Sequence, residues 1–343
     1  FPGIVSEQAF YEAYRRTSLG KKAKKDYLLF SFWEHVNLHN LRFSVINNTY
    51  RPQPPTAFPV FDPKPRTISA PKFSDRIVQH AIYRVAYPLF DKTFLPNSYA
   101  CRRGFGAHKA AKDVQAEMRK AKHKGWWYLK TDFSKYFHSI PRKILWWAID
   151  RLIKCHKTKN LVELFIPRDG VGLHIGSLLS QLFANVFGNI IDMYIKHTLK
   201  IKTFFRYMDD IVIFGRDRTT LRAIKKFLLN FCSKLGRRFS KWFTKPLSAG
   251  INFVGYRIWA THKLIRKSSI ADAKKKLRTL SPEKLAKFLP SWYGHLQHAD
   301  TFNLKKRLDL IWVPFTIIEP QVNWSLEQLL REEAFQLQRF PSY

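Results

Sequence analysis

The ten residues RYMDDIVIFG, Arg206 to Gly215, limit what this chain can be more than any other stretch. Phe204, Phe205, Tyr207 and Met208 lead in and Ile211, Val212, Ile213 and Phe214 lead out, so Asp209 and Asp210 interrupt two apolar runs that read as a hairpin. An ionised carboxylate removed from water is costly unless a positive charge answers it, and a divalent metal ion is the strongest answer. An arbitrary Asp-Asp pair is usually a solvated turn. Here the flanks are strand-like on both sides, a third acid, Asp132, ends the apolar stretch WWYLKTD, and acids are scarce: 25 Asp and Glu against 60 Lys and Arg. A strand-end Asp with a hairpin Asp pair can hold two divalent ions about 3.5–4 Å apart, the arrangement that activates an attacking hydroxyl and stabilises a leaving oxygen in phosphoryl transfer. Adjacent strand residues point to opposite sides, so one Asp should face the metals and the other sit beside them. The turn has no Gly, so Met208 is expected to carry backbone strain.

The formal net charge of +35 would repel itself unless the partner is a polyanion, which makes nucleic acid the leading partner and an anionic membrane surface the alternative. No window of about 18 uninterrupted apolar residues is present, and FPGIVSEQAF lacks the basic-then-apolar order of a signal peptide, so no membrane partner is expected. Cys101, Cys155 and Cys232 are odd in number and scattered, which points away from a disulfide framework or zinc site and toward a reducing, cytoplasmic setting.

Along the chain, Ser6 is set to cap a first helix, helical spacing runs from Tyr27 to Ile46, and AFPVFDPKPRTISA reads as two short strands around a turn that exposes Lys64 and Arg66. Helices are expected at Phe73 to Leu89 and Ala107 to Ala121, after Pro141, from Gly176 to Lys200, and from Thr219 to Leu235, with GINFVGYRIW returning to strand. The order is α+β. Lys-rich helical segments broken by Pro282, Pro290, Pro314 and Pro320 follow, which places a separate helical domain there.

YMDD at Tyr207 to Asp210, with DFSKYF at Asp132 to Phe137 upstream, resembles the palm of reverse transcriptases. KPRTISAPKFSDRIVQHAI resembles that family's fingers, NSYACRRGFGAHKA its next block, IGSLLSQLFANVFGNIIDMYI the helix before the active hairpin, and GINFVGYRIW the primer-gripping hairpin. These follow in the family's order over about Phe58 to Arg266. The resemblance implies a right-hand polymerase fold: an N-terminal helical extension over 1–56, fingers and a palm of antiparallel sheet plus helices over 57–266, and a helical thumb over 267–343. It makes Asp132 and Asp209 the ligands of two Mg²⁺ ions (Mn²⁺ as substitute), the Phe133 carbonyl a further ligand, and Asp210 the supporting acid. It assigns Lys64 and Arg66 to the triphosphate of a dNTP, Phe137 to an aromatic gate that excludes a 2′-hydroxyl, and Phe253, Gly255 and Tyr256 to the primer grip.

Ile175-Gly176-Ser177-Leu178-Leu179-Ser180-Gln181 stands where most such enzymes read Q-G-x-x-x-S-P. Ile for Gln and Gln for Pro resemble the reverse transcriptases of diversity-generating retroelements, as do INFVGYRIWATHKLIRKSS and SWYGHLQHADTFNL. Ile175, Gly176 and Gln181 are therefore expected at the nucleotide, and Ile175 offers only apolar contact where Gln can hydrogen-bond, so discrimination should fall. That subfamily copies a template RNA into cDNA with errors opposite adenine. It works with an RNA that is both template and primer, the resulting RNA–cDNA duplex, dNTPs and a small basic, ring-forming accessory protein, in the cytoplasm, and is encoded by bacteria or phage. The alternatives are a group II intron- or retron-like enzyme of ordinary fidelity, against which Ile175 and Gln181 speak, and a non-catalytic RNA-binding protein, against which the three acids speak.

Overall fold

The computed structural model describes residues 1–61 and 65–308. The chain folds as two compact units, 1–113 with 120–247, and 114–119 with 248 onward. The expected domain boundary at 266 falls inside the second.

The first unit opens with helices α1 (Pro2–Val5), α2 (Glu7–Ser18), α3 (Lys25–Ser31) and α4 (Glu34–Ile46). Ser6 caps α2, its hydroxyl accepting from the Ala9 N–H at 3.2 Å. The helical spacing from Tyr27 to Ile46 is interrupted: Phe32 and Trp33 divide it into α3 and α4. The strands β1 (Thr56–Val60) and β2 (Arg66–Ala70) then pair antiparallel, followed by α5 (Phe73–Asp91) and α6 (Ala107–Lys120).

A four-stranded antiparallel sheet carries the acids. It is built from β3 (Trp127–Phe133), β4 (Phe204–Tyr207), β5 (Asp210–Gly215) and β6 (Phe239–Pro246), in the spatial order β4-β5-β3-β6. Between β3 and β4 come α7 (Arg142–Leu152), α8 (His156–Glu163) and α9 (Leu178–Met193), and α10 (Arg218–Lys234) joins β5 to β6. Pro141 sits one position before α7, at its N-cap. One face of the sheet is dry, with Leu129, Thr131, Ile211, Ile213 and Phe204 buried beneath the helices. The opposite face holds Lys130, Asp132 and Asp210. Period-2 alternation therefore sends the charges of β3 and β5 to one side and the core to the other. The segment Leu178–Thr198 is long and apolar enough to cross a membrane, but 67% of its most apolar window is buried within the protein, as suits a core helix.

The second unit holds a three-stranded meander, β7 (Ile251–Phe253), β8 (Tyr256–Ile258) and β9 (Lys263–Ile265), then α11 (Lys267–Thr279), α12 (Pro282–Leu296) and α13 (Phe302–Arg307). The mixture of helices with antiparallel sheet is the expected α+β class.

Candidate active site

Register places the acids. β3 pairs with β5 so that Asp132 lies opposite Asp210, and β4 pairs with β5 so that Tyr207 lies opposite Asp210, which leaves Met208 and Asp209 as a two-residue turn. Met208 takes φ +54°, the left-handed region that a side chain other than Gly enters at a cost. The Phe133 N–H donates to the Asp209 carbonyl at 3.3 Å, tying the turn to the end of β3. The side chains of Asp209 and Asp132 stand within hydrogen-bonding reach of each other. Burial first, then the neighbouring Asp132, push the Asp209 carboxyl up to about 7. Asp210 is answered differently: its Oδ2 lies 2.5 Å from the Lys130 Nζ. The adjacent acids thus have separate partners.

Two buried arginines brace this turn and its surroundings. Arg206 on β4 is wholly buried and ion-paired with Asp192 of α9 at 2.8 Å, while its Nη1 donates to the Met208 carbonyl at 3.2 Å and its Nη2 to Ser98 Oγ at 2.8 Å. Gly188 makes room for it, since a Cβ there would lie 2.4 Å from Arg206 Nη1. Arg237 packs over the rings of Phe133 and Tyr136, 5.3 and 5.2 Å from their centroids, and donates to Ser139 Oγ, bracing the 3₁₀ turn Phe137–Ser139. Sequence reasoning assigned no role to these residues. Their signal was a charge stranded among apolar neighbours: Arg206 in FFRYM and Asp192 in NIIDMYI.

A cleft of about 660 Å³ opens beside the acids, lined among others by Arg66, Asp132, Phe137, Ile175 and Asp209. Phe133 also lines it. Ile175 is held there by its backbone: its carbonyl accepts from the Ser69 N–H at 2.8 Å. Gly176 follows at φ +108°, where a Cβ would come within 2.8 Å of Ile68 Cγ2 and 3.0 Å of the Ser69 carbonyl, so only Gly lets β2 approach this closely. Ser177 then caps α9 and donates to the buried Gln79 Oε1 at 3.0 Å.

Some expected residues stand elsewhere. Gln181 is exposed in the first turns of α9, where its Oε1 accepts from Cys101 Sγ at 3.7 Å, and it does not line the cleft. The helix begins after Ile175 and rotates Gln181 away from it. Lys64 lies outside the described residues. In the second unit, Phe253 and Tyr256 are fully buried, with the Tyr256 hydroxyl 2.9 Å from His295 Nδ1, so they form core beneath the hairpin rather than a gripping surface. Gly255, at φ +90°, occupies the hairpin's turn and keeps some exposure.

Among the described residues, no group of three or more His, Cys, Asp or Glu is clustered to enclose a metal ion. Two facing carboxylates, Asp132 and Asp209, are nevertheless a fitting donor set for a hard divalent ion, which is commonly held by one or two carboxylates plus substrate phosphates.

Residues 61–258 match the family model described as reverse transcriptase (RNA-dependent DNA polymerase). The chain belongs to the reverse transcriptase family. Members of this family polymerise DNA on RNA with divalent metal ions, and the right-hand polymerase fold comes with that membership. The chain is 24% identical over 304 residues to protein YkfC of Escherichia coli (strain K12), covering 75% of this chain and 78% of that protein. It is 25% identical over 172 residues to the group II intron-encoded protein LtrA of Lactococcus lactis subsp. cremoris, covering 46% of this chain and 28% of LtrA. A solved structure of apo telomerase from Candida tropicalis is similar with a TM-score of 0.47 at 12% identity, covering 67% of this chain and 52% of that one. The chain therefore spans about half the length of that telomerase and under a third of LtrA.

Proposed function

We propose that this reverse transcriptase copies a template RNA into error-prone cDNA, with misincorporation concentrated opposite adenine, for a diversity-generating retroelement. The observation that carries the reading is Ile175: it lines the same cleft as Arg66, Phe137 and the facing acids, and its side chain has no hydrogen-bonding group. A pocket that positions a base pair by apolar contact alone rejects a mispair less strongly than one with a polar group that a mispair leaves unsatisfied.

In the proposed reaction, Asp132 and Asp209 would hold two Mg²⁺ ions, with the Phe133 carbonyl as a further ligand, and the bound metal would supply the positive charge that favours ionisation of the primer 3′-hydroxyl and departure of pyrophosphate. Arg66 presents a guanidinium fork to the triphosphate, and Lys64 adds a point charge. Phe137 packs under the incoming sugar and clashes with a 2′-hydroxyl. The turn of Met208, clamped by Arg206, keeps Asp209 at the end of β3. The RNA–cDNA duplex lies against basic surface, consistent with the charge of +35, and Gly255 contributes to the primer grip. A small basic, ring-forming accessory protein and a cytoplasmic setting complete the proposal.

The experiment is sequencing of cDNA made by the purified protein on an RNA template containing all four bases. Errors clustered at template adenines support the reading; uniform, low error overturns it. A second reading, an intron-type enzyme of ordinary fidelity, draws on the similarity to LtrA and corresponds to that second outcome.

A further inference from the structure

By the reading above, the metal seat uses two of the three acids that the fold brings to the end of β3. Asp210 lies directly opposite Asp132 and next in sequence to Asp209, yet the three are not grouped to enclose one ion. What distinguishes it is Lys130. This residue precedes Asp132 by two on β3, so its side chain leaves the same face of the sheet, and its Nζ reaches Asp210 Oδ2 at 2.5 Å. The pair is mostly shielded, with 14% and 23% side-chain exposure, so solvent screens it less than a surface ion pair. Among the described residues, neither Asp132 nor Asp209 makes an ion pair.

We propose that Lys130 is a positioning residue that holds Asp210 out of the metal seat, so that Asp132 and Asp209 alone supply its carboxylates. Two consequences follow from one ammonium group. It reduces the negative charge facing the cations from three to two, and it fixes the rotamer of the one acid that would otherwise turn toward them. A seat with all three carboxylates free would bind divalent ions more tightly and hold them against the shift in coordination that turnover requires.

The proposal rests on the metal-dependent reading of the site, and the test separates the two. Mn²⁺ binding to the full nucleotide-free chain is measured at pH 8.5 by electron paramagnetic resonance, alongside thermal melting. Wild type should bind Mn²⁺ and Asp209→Asn should lose it. Lys130→Met should bind Mn²⁺ about tenfold more tightly than wild type, the effect of deleting one unit charge roughly 6 Å from a divalent ion at the dielectric constant of water. Lys130→Arg should match wild type, and Asp210→Asn placed in the Lys130→Met background should return the affinity toward wild type, because the acid that Lys130 restrains is then neutral. Lys130→Gln, which retains a hydrogen-bond donor without charge, is read in the same way if Lys130→Met does not fold. Unchanged or weaker Mn²⁺ binding in the folded, charge-deleted variant overturns the role of Lys130 alone. Absence of Mn²⁺ binding in wild type overturns both the seat and the proposal.

Discussion

The Arg206 guanidinium grips the Asp192 carboxylate, with Nε 2.8 and 2.9 Å from the two oxygens and Nη2 2.8 Å from one of them, and neither side chain has any exposure. The same guanidinium donates to the carbonyl of Met208, so a buried ion pair between β4 and α9 holds the strained turn that presents Asp209. Removing one partner leaves the other charge buried and unanswered. Asp192→Ala is expected to destabilise the protein by about 3–5 kcal/mol, measured by urea denaturation. A loss below about 1 kcal/mol would show that the pair is not the support described.

Gly188 tests the same support from the other side. An exposed helical Gly→Ala change normally stabilises by up to about 1 kcal/mol. At 188 the new Cβ would lie 2.4 Å from Arg206 Nη1 and 2.9 Å from the Tyr136 hydroxyl. Gly188→Ala is therefore expected to destabilise by about 1–3 kcal/mol, and a rise in melting temperature would contradict the packing.

Phe137 stands edge-on to Tyr136, with ring centroids 5.8 Å apart, on a 3₁₀ turn braced by Arg237. If it excludes the 2′-hydroxyl, Phe137→Ala should raise rNTP incorporation relative to dNTP by about tenfold or more in single-nucleotide extension assays. An unchanged ratio would assign the ring to packing alone.

Ile175→Gln restores an amide to the cleft wall without altering the Ser69 N–H to Ile175 carbonyl contact, which belongs to the backbone. Errors opposite adenine should fall severalfold in sequenced cDNA while errors at other template bases change less. Equal error spectra would remove Ile175 as the cause.

Much of this was legible in the sequence because apolar runs are visible locally. The apolar runs on either side of Asp209 and Asp210 marked the hairpin, the apolar run ending at Asp132 marked its partner strand, and pairing of the two follows from their acids needing one site. Three things were not legible. Which acid an interior Lys130 would answer depends on cross-strand register, which local pattern does not encode. Gln181 was read with Ile175 because both fall in the segment that stands in place of Q-G-x-x-x-S-P, yet the helix that starts between them turns Gln181 toward Cys101. Phe253 and Tyr256 were read from a motif, but they are paired across two three-residue strands, β7 and β8, whose buried face directs both into the second unit's own core. Arg206 and Arg237 show the converse. Arg206 among aromatics is visible in sequence and Arg237, in KLGRRFS, is not marked out at all, and their partners, 14 residues away at Asp192 for Arg206 and 98 away at Ser139 for Arg237, are fixed only by the fold.

The most direct measurement is divalent-metal-dependent dNTP incorporation on an RNA template, comparing wild type with Asp209→Asn. The account predicts incorporation by wild type, its loss when the metal is chelated, and a fall of at least about a thousandfold in the variant, which removes one of two facing carboxylates without changing shape. Equal incorporation by both proteins, or none by wild type supplied with its own RNA and Mg²⁺, would contradict it.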